Sequence, residues 1–204
     1  MNVAVNAIPL TNIQTGIGRY LRCLYMEIAR SYPEIDLRFF DGRRLLDRMP
    51  CSPGERGLWS ARTLAMWAMP EQLVAAGRTA RLALREKRLQ RFVAGCDMYH
   101  DSYLFPFDCG GRVATVFTLH DLSLVRHPEL HPPERVRFFN AHFAQRLQKV
   151  RYIIVPSEFT RQEAVTLLGV NPERIVVIPE GYDRDLFKIC SALQVAVIKQ
   201  KYGL

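Results

Sequence analysis

The sequence predicts an α/β fold, a Rossmann-like parallel sheet with helices on both faces. Short apolar runs of strand length alternate with helix-length stretches along the chain. Helix-length connections between such runs leave little alternative to parallel pairing. Polar residues also gather just past the apolar runs, at the carboxyl ends of strands, where sheets of this kind collect ligands. A chain of 204 residues with 49% hydrophobic and 24% charged residues suits one sizeable core, or a domain with a connecting tail.

In chain order, "VAVNAI" (3–8) is an apolar run of strand length, followed by the loop "LTNIQT". "GIGRYLRCLYMEIARSY" reads as a helix, because Ile17, Leu21, Leu24 and Ile28 recur at helical spacing. "IDLRFF" (35–40) is the second strand, ended by Asp41-Gly42, and residues 41–57, rich in Arg, Pro and Gly, read as a loop. "LWSARTLAMWAMPEQLVAAG" is helical but broken near Pro70, and "RTARLALREKRLQRFVAG" continues as a basic helix to Gly95. "DMYH" (97–100) and "RVATVFTLHD" (112–121) are strands, the latter with a polar tip. "PPERVRFFNAHFAQRLQK" is a helix with proline in its first turn. "YIIVPS" is a buried strand, and the helix after it is capped by Ser157 and stopped by Gly169. "RIVVIPEGYD" is the last strand with its exit loop, and "SALQVAVIKQKYGL" starts a further helix.

Charge and cysteine content exclude several classes. There is no run of about 18 apolar residues, so a spanning helix is not expected. The start "MNVAVNAIPL" lacks a basic n-region and reads as a strand rather than a signal peptide. Five scattered cysteines without a C-x-x-C pair point to reduced thiols in a cytoplasmic protein, not to a disulfide framework or a zinc site. The net charge is +8, and residues 41–91 alone carry +6 of it. Arg78, Arg81, Arg85 and Arg88 follow 3-4-3 spacing beside Leu82, Leu89 and Val93. A basic stripe bordering an apolar one suits anionic lipid headgroups, so residues 78–91 are a candidate contact with an anionic membrane surface. No nucleic-acid module is present.

The pair Gly16 and Gly18 opens the first helix. The dinucleotide fingerprint needs a third glycine, but Arg19, Tyr20 and Leu21 follow, and no Gly-Lys-Ser/Thr makes a P-loop. This disfavours a nucleotide-dependent oxidoreductase. What remains is a glycine pair at a helix N-terminus, where free N–H groups and the positive dipole end favour a phosphate. The pair could equally serve only the turn.

With "TGIGRYLRCL", "TLHDLSLVRHPELHPPERVRFF" and "VPSEFTRQEAVTLLGVNPERIVVIPEGYD" in one order, the chain resembles the N-terminal half of family-4, GT-B-fold glycosyltransferases. It looks most like bacterial mannosyl- and rhamnosyltransferase-like members that build surface polysaccharides. The resemblance implies two Rossmann-like domains facing across a cleft, the first on the acceptor side and the second holding the sugar nucleotide. It implies retention of anomeric configuration with neither a metal nor another cofactor. Carried over by motif, Gly16 and Gly18 approach the donor diphosphate with Arg19 beside them, and His120 contacts the donor sugar by hydrogen bonding. His100, Asp101 and Asp121 are expected on the acceptor side. "PEGYD" departs from the commoner asparagine-glycine form, with Glu180 in the asparagine's place.

The expected organisation is an acceptor-side domain over residues 1–190. Residues 191–204 form a linker toward a donor domain supplied in cis or in trans. The E-x7-E carboxylate pair of that second domain does not occur within these residues. The expected partners are a nucleotide-sugar donor and a glycan or lipid-linked acceptor, with the protein in the cytoplasm or peripheral on the inner face of the membrane. A silent binding module that keeps the fold, or one half of a split enzyme, is the competing reading.

Overall fold

The computed structural model describes residues 1–11, 15–50, 71–182 and 187–204. The described residues form seven strands, β1 (Asn2–Asn6), β2 (Asp36–Phe40), β3 (Leu45–Leu46), β4 (Met98–Asp101), β5 (Ala114–Thr118), β6 (Tyr152–Val155) and β7 (Ile175–Val177). They form one sheet in the order β3-β2-β1-β4-β5-β6-β7. Every pair is parallel except β2 with β3. The described helices are α1 (Gly16–Ser31), α2 (Glu71–Phe92), α3 (Ser123–Arg126), α4 (Pro133–Gln148), α5 (Glu158–Leu168) and α6 (Ala192–Tyr202).

Alternation along the strands builds two cores, because residues two apart share a face of the sheet. Val3, Val5 and Phe39 face α1 and pack with Leu21 and Tyr25. Ala4, Phe40, Tyr99, Phe117 and Ile153 belong to the other core, with Leu89 of α2, Phe139 and Phe143 of α4 and Ala164 of α5. Both faces of the sheet are covered, as a parallel sheet requires. The doubly wound fold expected from the sequence is the fold observed.

Several boundaries move. The stretch read as a loop after Gly42 holds the two-residue strand β3, whose Leu45 and Leu46 pair with Phe40 and Phe39. β5 stops at Thr118, two residues before His120, and the basic helix ends at Phe92 before a 3-10 turn over Val93–Gly95. The expected break near Pro70, Cys51, Trp59 and Trp67 lie outside the described residues.

Caps set the other ends as expected. Ser157 Oγ accepts from Thr160 N, and Gly169 stops α5 at φ 63°, a left-handed conformation that costs glycine least. In "NPER", Asn171 Oδ1 accepts from Glu173 N, and the Arg174 guanidinium donates to the carbonyls of Leu147 and Val150 at the end of α4. Ser191 and Gln194 form a reciprocal cap on α6, which buries no residue.

The arginine-bearing face of α2 corrects one expectation. Leu82, Leu89 and Val93 are core residues, so the apolar border of that stripe faces the protein interior. Arg78 lies 3.9 Å from Glu134, and Arg85 is half-buried beside Gly42. Arg81, Lys87 and Arg91 remain exposed. On the interior side, Glu86 makes a two-pronged pair with Arg146 of α4 at 2.9 and 3.0 Å.

Candidate active site

The strand order reverses at β1, which has β2 on one side and β4 on the other. In sheets of this kind the expected ligand crevice lies at that switch point, beyond the carboxyl ends of the strands. The first turn of α1, the segment after β5 and the exit loop of β7 meet beside it.

His120 is where they meet. The backbone before it is tied to β6, since Leu119 N donates to Ile154 O at 2.8 Å. Its ring meets the Tyr20 ring of α1 edge-on, with centroids 5.0 Å apart at 88°. Its Nδ1 lies 2.7 Å from Glu180 Oε1. A carboxylate only accepts, so Nδ1 carries the hydrogen. The other ring nitrogen, Nε2, is buried and has no hydrogen-bond partner among the described residues. Buried polar atoms are nearly always paired, so this orphan calls for a physical explanation. Asp121, next in sequence, is turned to the chain: its Oδ1 accepts from Ser123 N at 2.8 Å and holds the start of α3. Burial pulls the Asp121 carboxyl up. The Ser123 hydrogen bonds and the nearby His120 and His131 outweigh that and hold it below the usual carboxylate range.

The two glycines have different jobs. Thr15 caps α1, and its Oγ1 accepts from Gly18 N at 3.2 Å. Gly18 is buried, and a Cβ there would sit 3.0 Å from the carbonyl oxygen of Pro9. The expectation that Gly18 approaches a diphosphate is therefore corrected. Its amide is already used, and its bare Cα lets α1 pack on the turn at Pro9. Gly16 is exposed, with nothing within 4 Å of an added Cβ. The amides of Gly16 and Ile17 take no partner among the described residues and stand at the positive end of the helix. Arg19 is exposed and stacks over the Phe187 ring, 5.5 Å from its centroid.

His100 and Asp101, expected on the acceptor side, are both buried, at 3% and 0% exposure. This corrects their placement: they lie behind the crevice wall. Asp101 accepts from Asn6 Nδ2, Tyr99 Oη, Tyr103 N and Phe107 N, at 2.8 to 3.0 Å. It thereby ties β1 to β4 and shapes the loop that follows. Burial nevertheless raises its carboxyl above the ordinary range against these bonds. His100 bridges Tyr25 Oη at 2.6 Å and Thr118 Oγ1 at 2.8 Å. Burial, with His120 nearby, pushes its pKa down to about 4, so the ring is neutral near pH 7.

Sequence reasoning misses Tyr20, Tyr25 and Thr118; it places Glu180 at a strand's carboxyl end and as a departure from a motif, but not as the partner of His120. A polar residue at the end of an apolar strand was the available signal for Thr118. Tyr20 and Tyr25 carried none, since aromatic residues at helical spacing read as core. His127 and His131 bond Glu129 and Ser123, away from His120, and no group of three or more His, Cys, Asp or Glu comes together among the described residues.

A doubly wound, mostly parallel sheet in this strand order is of the Rossmann-like class. The chain belongs to Glycosyltransferase Family 4, whose family model matches residues 15–186. It is 27% identical over 199 residues to O-antigen chain mannosyltransferase B of Escherichia coli, covering 96% of this chain and 51% of that protein. The chain thus spans about half the length of the curated relative it matches. Among solved structures it is similar to Anabaena Alr3699/HepE in complex with UDP and glucose, at 16% identity and TM-score 0.49, covering 99% of this chain and 50% of that one. It is also similar to a glycosyltransferase from Rickettsia africae at 11% identity and TM-score 0.36, covering 99% of this chain and 49% of that one. No helix among the described residues is long and apolar enough to cross a membrane.

Proposed function

We propose that this chain is the acceptor-side domain of a retaining glycosyltransferase. It moves a sugar from a nucleotide-sugar donor to a glycan or lipid-linked acceptor in surface polysaccharide synthesis in the cytoplasm. Family membership and the mannosyltransferase relative support sugar transfer. The observation that carries the site is the buried, unpartnered Nε2 of His120, aimed by its Nδ1–H bond to Glu180. In the neutral ring Nε2 accepts and in the protonated ring it donates. A sugar hydroxyl does both, so it satisfies the nitrogen either way. His120 is in this reading the catalytic residue that touches the donor sugar.

The open amides of Gly16 and Ile17 receive the diphosphate. Negative charge grows there as the bond from phosphate oxygen to the anomeric carbon breaks, and fixed N–H dipoles stabilise it without reorganising. Arg19 adds positive charge at the rim. The remaining donor contacts come from a second domain, in cis or in trans. Contact with an anionic membrane surface runs through the exposed Arg81, Lys87 and Arg91, with Leu84 and Phe92 exposed beside them, while Leu82, Leu89 and Val93 are turned into the core.

Substitutions in the full-length protein test this reading. His120→Ala lowers product formation from a nucleotide-sugar by 100-fold or more, on the order of the loss of one preorganised donor. Gly16→Ala weakens donor use without changing stability, because its Cβ meets nothing. Gly18→Ala instead costs about 1–3 kcal/mol of stability through the Pro9 carbonyl. Full activity in His120→Ala, or equal donor affinity in Gly16→Ala, refutes it.

A further inference from the structure

Behind the crevice wall runs a line of four polar side chains: Tyr25 Oη to His100 Nδ1 at 2.6 Å, His100 Nε2 to Thr118 Oγ1 at 2.8 Å, and Thr118 Oγ1 to Tyr20 Oη at 3.3 Å. Tyr25, His100 and Thr118 are buried, at 3%, 3% and 2% exposure, while Tyr20 is half-buried at the crevice.

The direction of the line follows from its closed end. Tyr25 has no hydrogen-bond partner besides His100 among the described residues. Were its oxygen to accept, its own hydrogen would be stranded in the core, which is costly. Tyr25 therefore donates to Nδ1. A neutral imidazole accepting at Nδ1 carries its hydrogen on Nε2 and donates to Thr118 Oγ1. Thr118 is buried, and Tyr20 Oη is the one acceptor near its hydroxyl among the described residues, so its own hydrogen goes there rather than being stranded. Tyr20 receives a hydrogen bond from behind, and its own O–H is left to donate outward. Its ring leans on His120, and side chains on a helix tilt toward the N-terminus, here toward the open turn at Gly16.

We propose that the Tyr20 hydroxyl is a ligand-binding donor of the crevice, its hydrogen turned outward by the Tyr25–His100–Thr118 line. It takes an oxygen acceptor of the nucleotide-sugar, either a phosphate oxygen or a sugar oxygen. His120 and Tyr20 then offer the donor two different atoms from one edge-on aromatic pair. Tyr25, His100 and Thr118 are positioning residues, acting through Tyr20. This inference rests on the nucleotide-sugar reading above for its ligand, but not for the direction of the line.

Two measurements test it separately. Nitrogen-15 NMR of the imidazole of His100 in the 204-residue chain reads the tautomer. Hydrogen on Nε2 is expected, and hydrogen on Nδ1 overturns the proposed direction whatever the protein's activity. Calorimetry on the full-length protein then compares wild type with Tyr20→Phe, which keeps the ring against His120, using GDP-mannose and inorganic pyrophosphate as probes. Tyr20→Phe is expected to weaken GDP-mannose about tenfold. If pyrophosphate weakens equally, the acceptor is a phosphate oxygen, and if pyrophosphate is unchanged, it is a sugar oxygen. Tyr25→Phe, remote from the crevice, is expected to reproduce part of the Tyr20→Phe loss. Unchanged affinity for both probes in Tyr20→Phe overturns the proposed role. A wild type that binds neither these probes nor UDP-glucose refutes the nucleotide-sugar reading instead, while the tautomer still decides the direction.

Discussion

Lowering the pH from 7 to 5 tests the buried state of His100. Its pKa falls from 6.5 to about 4 on folding, with burial the main cause and His120 nearby. Between those values the unfolded chain binds a proton that the folded protein refuses. The stability His100 confers is therefore fully present above the unfolded value and declines as the pH falls toward 4. At pH 5 the unfolded histidine is almost wholly protonated and the folded one mostly neutral, which is about 2 kcal/mol of lost stability relative to pH 7. Asp101 acts in the opposite sense near the acid end: its raised carboxyl gains stability as the pH falls through its folded value. Urea unfolding of the chain at pH 7 and pH 5, wild type against His100→Gln, isolates the histidine, because Asp101 and the other histidines are common to both proteins. The stability difference between the two pH values is expected to be about 2 kcal/mol smaller in His100→Gln. An equal difference in the two proteins would show that His100 protonates freely in the folded state, and the argument for a neutral, line-forming ring would fail.

The pair between Glu86 and Arg146 supports a second prediction. Their side chains are about nine-tenths buried, and Glu86 Oε1 also accepts from Asp108 N. Glu86→Ala is expected to cost about 3–5 kcal/mol in urea unfolding because it leaves a buried guanidinium unpaired, whereas Glu86→Met with Arg146→Leu costs clearly less. Binding of the full-length protein to vesicles is expected to need anionic lipid and to fall with added salt, and to weaken in Arg81→Ala with Arg91→Ala. Salt-insensitive sedimentation with neutral vesicles would count against that contact.

Local rules placed most of the fold in the sequence. Apolar spacing in α1, the Ser157 and Gly169 caps of α5, and the short runs at β1, β2 and β6 each depend on neighbours within a few residues, so they are legible one segment at a time. The same holds for the family motifs around Gly16, His120 and "NPERIVVIPEGYD". What the sequence left open depends on contacts between segments far apart in the chain. Gly16 and Gly18 look alike in "TGIG", yet only the approach of the Pro9 carbonyl makes one a packing residue and leaves the other open. His100 and Asp101 stand at a strand end like His120. Pairing of β4 between β1 and β5, with Asn6, Tyr25 and Thr118 brought against it, is what seals them. Glu180 reaches His120 across 60 positions of sequence because β7 lies beside β6 at the sheet edge. Side-chain type and spacing specify the elements, whereas burial and the direction of a hydrogen bond exist only once separate elements have closed on one another.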